Sequence, residues 1–161
     1  MLTIRRAVAE DASEIWSILE PVFRAGETYM IARDISKDEA TSYWCGPSHE
    51  TFVADEGGRI LGTYFLRANQ AGGGAHVANC GYITAPAAQG RGVARAMLGH
   101  SLARARERGF RAMQFNCVIS TNARAVQTWQ DNGFLIVGRL PEAFLHPTLG
   151  YVDALVMYRQ L

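Results

Sequence analysis

The chain has 161 residues, of which 48% are hydrophobic and 19% are charged, and its formal net charge is +1. These values are typical of one globular domain with a substantial core, so we assign residues 1–161 to a single domain. We expect neither a membrane span nor a signal peptide, and a nearly neutral chain disfavours nucleic-acid binding. Three scattered cysteines do not suggest a disulfide framework and favour a reduced, cytoplasmic location.

The first half of the chain predicts a strand, two helices and a β-hairpin. Apolar residues recur with a helical period after residue 11, and Pro21 and Gly26 are expected to disturb the end of that helix. Ser36 is expected to cap the second helix. The predicted segments are a strand over 2–8, helices over 12–23 and 37–45, and paired strands over 51–55 and 60–67 joined by a turn over 56–59.

The second half alternates strands and helices. A glycine-rich loop over 71–75 precedes it, and a loop over 141–150 is expected to close over the site. The predicted segments are strands over 76–84, 112–118, 134–140 and 151–158, a long helix over 91–108 that Gly109 ends, and a helix that Thr121 or Asn122 caps and that reaches Asn132. This order has too many central strands for a doubly wound parallel fold. We therefore expect an α/β (α+β) fold of another kind.

The most informative stretch lies between a predicted strand and the long helix. It consists of Gln89, Gly90, Arg91, Gly92, Val93 and Ala94. A glycine-rich turn at a helix start lets backbone N–H groups approach a phosphate, and the helix dipole favours the negative charge. A dinucleotide fingerprint fails at Arg95, and a P-loop fails because Lys37 is the only lysine. The alternative is an ordinary helix start whose glycines ease the turn.

Charge supports the phosphate interpretation. Between residues 91 and 124 the chain has seven arginines and one acid, whereas eleven of its fifteen acids precede residue 60. This local excess of positive charge suits an anionic cofactor. The arginines at 104, 106 and 108 are equally explained as a solvated helix face.

The pattern Q-x-x-G-x-A over 89–94 resembles the acetyl-CoA loop of the GNAT-type N-acetyltransferases, R/Q-x-x-G-x-G/A. A second segment, N-x-x-A-x-x-x-W-x-x-x-G-F over 122–134, is similar to that family's N-x-x-A-x-x-x-Y-x-x-x-G-F. The resemblance implies a GNAT-like α/β (α+β) fold, with a central mixed sheet that splays at the cofactor site and about four flanking helices. It implies acetyl-CoA as the donor. It also implies cofactor contacts from the segment 89–94 and from Tyr82, Ile83, Thr84, Asn122 and Trp129. The pantetheine arm is expected to pair with the strand backbone over 82–84.

Trp129 departs from the family pattern. The family often has a tyrosine there, which protonates the leaving thiolate, but an indole N–H does not supply a proton. Either another group acts as the acid or the thiolate leaves unassisted, as a thiol pKa of about 8.5 allows. Core packing explains Trp129 equally well.

Asn79 and Asn116 are the candidate acceptor-binding residues. Each lies on a predicted central strand among apolar residues, where asparagine is disfavoured and a buried amide needs partners. The alternative is a core asparagine that bonds to a bulge. The segments 138–141 and 150–154 resemble a branch of the superfamily that includes fungal enzymes acetylating small cyclic imino acids. In that branch, paired asparagines at these two positions hold the acceptor.

Further candidates lie in the loops. We expect His76, Asn79 and Asn116 to have catalytic roles, with His76 as the first candidate base. Other candidates for acceptor binding or proton transfer are Glu27, Tyr29, His146, Tyr151 and Asp153. Cys80 and Cys117 are expected to be buried, inert thiols, and no spacing of His, Cys and acids indicates a metal site.

The sequence therefore predicts an acetyl-CoA-dependent N-acetyltransferase. It predicts direct transfer to the amine of a small, amino-acid-like metabolite. Two alternatives stay open: acetylation of a protein N-terminus or lysine, and a non-catalytic sensor that binds acyl-CoA. A homodimer is also an open alternative, since dimers are common in the family that the chain resembles.

Overall fold

The structure is a computed structural model that describes residues 1–161. Its strands are β1 (Leu2–Arg6), β2 (Glu50–Glu56), β3 (Arg59–Ala68), β4 (Val77–Thr84), β5 (Ala112–Ile119), β6 (Leu135–His146) and β7 (Gly150–Gln160). Its helices are α1 (Ala12–Ala25), α2 (Lys37–Trp44), α3 (Val93–Glu107) and α4 (Ala123–Asp131). The predicted sequence of strands and helices is confirmed.

One seven-stranded sheet forms the centre, in the order β1-β2-β3-β4-β5-β7-β6. Only β4 and β5 are parallel, so the expected mixed sheet is confirmed. These two strands pair at Val77 with Ala112 and at Ala78 with Met113, and nowhere beyond. The sheet therefore opens at its centre, between the C-terminal halves of β4 and β5.

Helices cover both faces of the sheet. Alternate residues of a strand point to opposite faces, and β3 shows the result: Tyr64 and Leu66 join the core beneath α3, whereas Phe65 joins the core beneath α1 and α2. Both cores consist largely of side chains that are less than a tenth exposed. None of the helices is long and apolar enough to cross a membrane.

Local sequence explains most helix ends. The Ser36 hydroxyl accepts a hydrogen bond from the Glu39 N–H at 3.1 Å, and the Glu39 carboxylate accepts one from the Ser36 N–H at 3.0 Å. This reciprocal pair is the capping box that starts α2. Asn122, rather than Thr121, caps α4 through its side-chain oxygen, which accepts from the Ala125 N–H at 3.4 Å.

Of the two residues expected to disturb the end of α1, Gly26 ends the helix and Pro21 does not interrupt it. Pro21 lies inside the helix, which continues to Ala25 and closes at Gly26 with a left-handed φ of 66°. The proline ring is on the exposed side, between Leu19 and Phe23, whose side chains are buried. Burying that apolar face offsets the one backbone hydrogen bond that proline removes.

The segment over 141–150 is not the closing loop that we predicted. β6 and β7 continue through it as a hairpin with a short turn over 147–149. A register shift between Leu140 and Phe144 absorbs Pro141, which has no N–H to lose at such an irregularity. Asp153 stabilises this register shift, because its carboxylate accepts a hydrogen bond from the Glu142 N–H at 2.9 Å. The segment therefore extends the sheet edge instead of covering the site.

Candidate active site

The opening between β4 and β5 leads into a cavity of about 620 Å³. Its walls come from the segment between α1 and α2, from β3, β4 and β5, and from α4. Glu27 and Arg67 are the only side chains with a formal charge among the 25 lining residues. The cavity therefore offers one carboxylate and one guanidinium in otherwise neutral surroundings.

A cradle of free backbone N–H groups lies at the start of α3. Gly90 and Gly92 have φ values of 78° and 80°, in the left-handed region that favours glycine. The N–H groups of Gly90, Gly92, Val93 and Ala94 donate to no other group of the chain. Four unpaired donors beside the positive end of a helix dipole are an arrangement that favours a phosphate group.

The arginines near the cradle divide into paired and free side chains. Arg91, Arg104 and Arg108 form ion pairs with carboxylates of β2. Arg95, in the first turn of α3, and Arg124, in α4, have no acidic partner. Arg91 therefore offers the cradle neither a free side chain nor a free N–H, since its N–H donates to the Ala88 carbonyl at 3.3 Å. Part of the local positive charge thus stabilises the fold.

The backbone of β4 is exposed along the opening, but at Tyr82 it already has a partner. The Tyr82 N–H donates to the Tyr29 hydroxyl at 3.0 Å, and that hydroxyl donates to the Tyr82 carbonyl at 2.9 Å. The Tyr29 ring packs edge-on against Phe23 and Trp44, at 5.7 and 6.0 Å between centroids. Tyr29 thus occupies the strand edge where the sequence predicted pairing of the pantetheine arm.

Asn79 and Asn116 both line the cavity and belong to one network across the opening. The Asn79 amide donates to the Gln114 carbonyl at 2.9 Å, and its oxygen accepts from Arg67 Nε at 3.2 Å. The Asn116 amide donates to Asn69 Oδ1 at 2.7 Å, and its oxygen accepts from the Gln114 side chain at 2.9 Å. An amide has two donor hydrogens and two acceptor lone pairs, so each asparagine keeps capacity for a further partner.

Trp129 belongs both to the cavity wall and to the core. Its ring lies on the cavity wall, and it also packs against Phe115 and Tyr82, at 4.8 and 5.3 Å between centroids. Asn122 and Gln89 line the cavity on the same side. The second motif therefore positions the wall of the cavity through the core packing of α4.

The neutral groups of the cavity are poor proton acceptors. Burial raises the pKa of the Tyr29 and Tyr82 phenols, and it raises the pKa of the Cys80 thiol to about 12. Burial also raises the pKa of Cys117, although this residue is exposed overall. The expectation that Cys117 is buried is wrong, because an irregularity between Phe115 and Val118 interrupts the β5–β7 pairing there. Glu27 is the only carboxylate on the wall.

Four predicted candidates for acceptor binding or proton transfer lie outside the cavity. His76 is exposed ahead of β4, and Tyr151 is exposed on β7. The His146 ring nitrogen accepts from the N–H groups of Thr148 and Leu149, both at 3.2 Å, and thereby closes the β6–β7 turn. Asp153 binds Arg139 at 2.7 Å within the hairpin. His146, Tyr151 and Asp153 were expected at the site because the hairpin was predicted to be a covering loop.

Arg67 is a cavity residue that the sequence analysis missed. It ends the apolar run of β3, and its register partner is Asn79 on β4. The only signal in the sequence was a basic residue at the end of an otherwise apolar strand, which equally describes a surface residue. The pairing of β3 with β4 brings it to the cavity.

The fold and site define a protein that holds a phosphate-bearing cofactor at a splayed sheet. The model of the acetyltransferase (GNAT) family matches residues 10–134. The chain therefore belongs to the GNAT acetyltransferase family, and it is an acyltransferase with acetyl-CoA as the donor.

Known relatives agree with this assignment. The chain is 26% identical over 148 residues to N-acetyltransferase aca1 of Schizosaccharomyces pombe, covering 81% of this chain and 71% of that one. It is 43% identical to a GCN5-related N-acetyltransferase from Kribbella flavida, with a TM-score of 0.94 over 99% of this chain and 98% of that one. The yncA acetyltransferase structure from Salmonella typhimurium, determined with acetyl-CoA, shares the fold at 22% identity and a TM-score of 0.87, over 100% and 94% of the two chains.

Proposed function

We propose that the protein transfers the acetyl group of acetyl-CoA directly to the amine of a small, amino-acid-like metabolite. One observation supports the proposal: candidate residues for the cofactor and for the acceptor line a single cavity. The lining includes Gln89, Asn122 and Trp129, which are candidates for cofactor binding, and Asn79 and Asn116, which are candidates for acceptor binding. Donor and acceptor therefore meet in one space, and direct transfer needs no covalent enzyme intermediate.

The reaction requires a neutral amine to attack the thioester carbonyl. The new C–N bond forms as the C–S bond breaks, the amine loses a proton, and CoA leaves as a thiolate. An alkyl amine with a pKa of about 10.4 is mostly protonated at neutral pH, so a proton acceptor is needed. Glu27 is the proposed acceptor, directly or through a water molecule. Trp129 does not protonate the thiolate, and a thiol pKa of about 8.5 permits unassisted departure.

We expect Glu27→Gln to lower kcat about 100-fold at neutral pH, in the range of general-base contributions, and to leave acetyl-CoA affinity unchanged. The deficit narrows as the pH rises towards the amine pKa, since more of the acceptor is then neutral without a base. Steady-state rates against pH provide the measurement. Glu10→Gln, at an exposed position without a side-chain partner, is the control. An unchanged kcat in Glu27→Gln contradicts the role.

Tyr29 gives a second prediction, which rests on the proposed pairing of the pantetheine arm with β4. Tyr29→Phe removes the hydroxyl that competes for the Tyr82 backbone, so acetyl-CoA binding is expected to strengthen about 2- to 10-fold, the value of one net hydrogen bond. Calorimetric titration measures the affinity. Tyr43→Phe is the control, because Tyr43 also lines the cavity and its hydroxyl makes no hydrogen bond to the protein. Weaker binding in Tyr29→Phe would contradict the competition.

One observation favours a second candidate acceptor, a protein N-terminus or lysine. The β6–β7 hairpin lies at the sheet edge and does not contribute to the cavity wall, so the predicted barrier to a polypeptide is missing. The name of the relative from Schizosaccharomyces pombe, N-acetyltransferase aca1, does not specify an acceptor. Cyclic imino acids are therefore one class of candidate acceptor among the small amines.

The function is tested by calorimetric binding of acetyl-CoA, followed by thiol release with amino acids, cyclic imino acids, polyamines and short peptides. We expect binding and turnover with a free amino or imino acid. Turnover with peptides alone favours the protein acceptor, and binding without any turnover contradicts the proposed transfer.

Asn116→Ala tests the acceptor-binding role of Asn116. We expect this variant to raise the KM for the acceptor more than the Kd for acetyl-CoA. An equal loss of both would assign Asn116 to the structure.

A second copy of this chain is the partner that we propose for the sheet edge. β6 is an edge strand, and Leu135, Ile136, Val137 and Leu145 on it are 40–69% exposed. A long, apolar strand edge is a surface that pairs with another chain unless it is covered. Sedimentation equilibrium at micromolar concentration tests the homodimer, and a monomer across the accessible range contradicts it.

We also propose a cytoplasmic location. The three cysteines are free, and two of them, Cys45 and Cys117, are exposed. Exposed free thiols are most compatible with a reducing compartment. Fractionation of the native source tests the location, and recovery outside the cytoplasm contradicts it.

A further inference from the structure

Arg67 is a cation without an acidic partner at the acceptor side of the cavity. Its Nε donates to Asn79 Oδ1 at 3.2 Å, and its guanidinium lies 5.6 Å from the centroid of the Phe65 ring. Neither of its two Nη atoms donates to a protein group, and no carboxylate lies within 4.0 Å. The Asn79 oxygen and the Phe65 ring therefore position the Arg67 side chain, and the N–H groups on its Nη atoms are free.

The position of Arg67 separates it from the cofactor phosphates. It pairs in register with Asn79, whereas the cradle follows Thr84 at the other end of β4. Five residues of extended strand separate those two positions, which is roughly 17 Å at 3.3 Å per residue. A pyrophosphate at the cradle is therefore out of reach of the Arg67 guanidinium.

We propose that Arg67 binds a carboxylate of the acceptor, so that the substrate is an amino or imino acid with a free carboxylate. This inference rests on the proposed acetyl transfer to a small amine. A guanidinium recognises a planar carboxylate through paired N–H donors. Glu27, the only negatively charged side chain on the wall, then accepts the proton from the amine. Asn79 positions Arg67 by accepting from Nε, and the amide N–H to the Gln114 carbonyl fixes Asn79 in turn.

The test compares each acetylated amino or imino acid with its own carboxamide, for example proline with prolinamide. The amide keeps the amine and the side chain but lacks the negative charge. We expect kcat/KM to be about 10- to 100-fold higher for the acid, as a charge-assisted hydrogen bond of roughly 1.5–3 kcal/mol implies. Arg67→Gln is expected to remove that preference by lowering the value for the acid alone. Arg67→Lys is expected to keep part of the preference for the acid, since lysine has the positive charge but lacks the paired N–H donors of the planar guanidinium.

Arg59→Gln is the matched control, because Arg59 lies on the same strand, is exposed and has no acidic partner. It should keep the wild-type preference. Equal rates for acid and amide in the wild type overturn the proposal, as does a preference that survives in Arg67→Gln. A purely structural role of Arg67 lowers both rates equally and therefore also leaves the preference unchanged. If Arg67→Gln does not fold, the wild-type ratio and Arg67→Lys decide.

A second readout separates this inference from the proposed function. The Tm of the CoA-saturated protein is measured with each acid and its amide, which requires no turnover. If acetyl-CoA binds but nothing is acetylated, the proposed function fails. Stabilisation by acids alone, lost in Arg67→Gln, then still supports carboxylate binding. No acid-specific stabilisation together with no turnover overturns it.

Discussion

Gly92→Leu is expected to lower acetyl-CoA affinity at least about 100-fold. Gly92 caps α3 with φ of 80°, and a leucine there incurs about 1–2 kcal/mol of backbone strain. The larger effect is steric. Its side chain occupies the space in front of the free N–H groups of Val93 and Ala94, which must approach the phosphate closely. Each charge-assisted hydrogen bond that is lost contributes roughly 1.5–3 kcal/mol, so two such losses suffice.

Gly109→Leu is the control for the strain. Gly109 follows the other end of α3, has φ of 81°, and no heavy atom lies within 4 Å of the position of a Cβ, as is also true for Gly92. Both variants should therefore lose similar stability in thermal unfolding. Only Gly92→Leu should lose the calorimetric signal of acetyl-CoA binding. Retained affinity in Gly92→Leu contradicts the cradle, and an equal loss in both variants assigns the effect to the fold.

Trp44→Ala is expected to lower the free energy of unfolding by about 3–5 kcal/mol, the range for large-to-small changes of a buried aromatic side chain. Trp44 is fully buried, and its indole N–H donates to Thr63 Oγ1 at 3.0 Å. Its ring packs edge-on against Phe65 at 4.8 Å between centroids. The variant leaves a cavity beneath α2 and removes the donor to the Thr63 hydroxyl, which still donates to the Phe52 carbonyl at 2.9 Å. Urea denaturation at equilibrium measures the change.

Trp16→Ala makes the same substitution at a partly exposed site on α1. Its ring contacts the Arg24 guanidinium at 5.5 Å and only borders the core. We expect a loss of about 1 kcal/mol there, because less apolar area leaves water on folding. Equal losses in the two variants would contradict the assigned core. Trp44 also supports the Tyr29 ring, so Trp44→Ala is expected to loosen the wall of the cavity.

The features that the sequence predicted well are local in the chain. The capping box of α2 uses residues three apart, and the cradle uses six consecutive residues before a helix. Such contacts depend on short spacings and side-chain chemistry, which the sequence displays directly. Hydrophobic periodicity also distinguished the strands from the helices, whereas the mixed sheet was expected from the family resemblance.

The wrong predictions concern the hairpin of β6 and β7. Pro141 and Gly150 are typical of a loop, but a register shift accommodates the proline and the turn needs only residues 147–149. His146, Tyr151 and Asp153 therefore lie at the sheet edge, where they were not expected. Whether a strand continues past a proline depends on the partner strand, and that information is not local.

The sequence by itself determined the family, the order of the elements and the cradle at Gly90 and Gly92, since each depends on neighbouring residues. Only the tertiary structure decided which side chains meet in the cavity. The pairing of β3 with β4 places Arg67 beside Asn79, and the segment after α1 brings Tyr29 to the Tyr82 backbone, although 12 and 53 residues separate these pairs. Such contacts depend on strand register and helix packing, which sum many weak interactions over the whole chain.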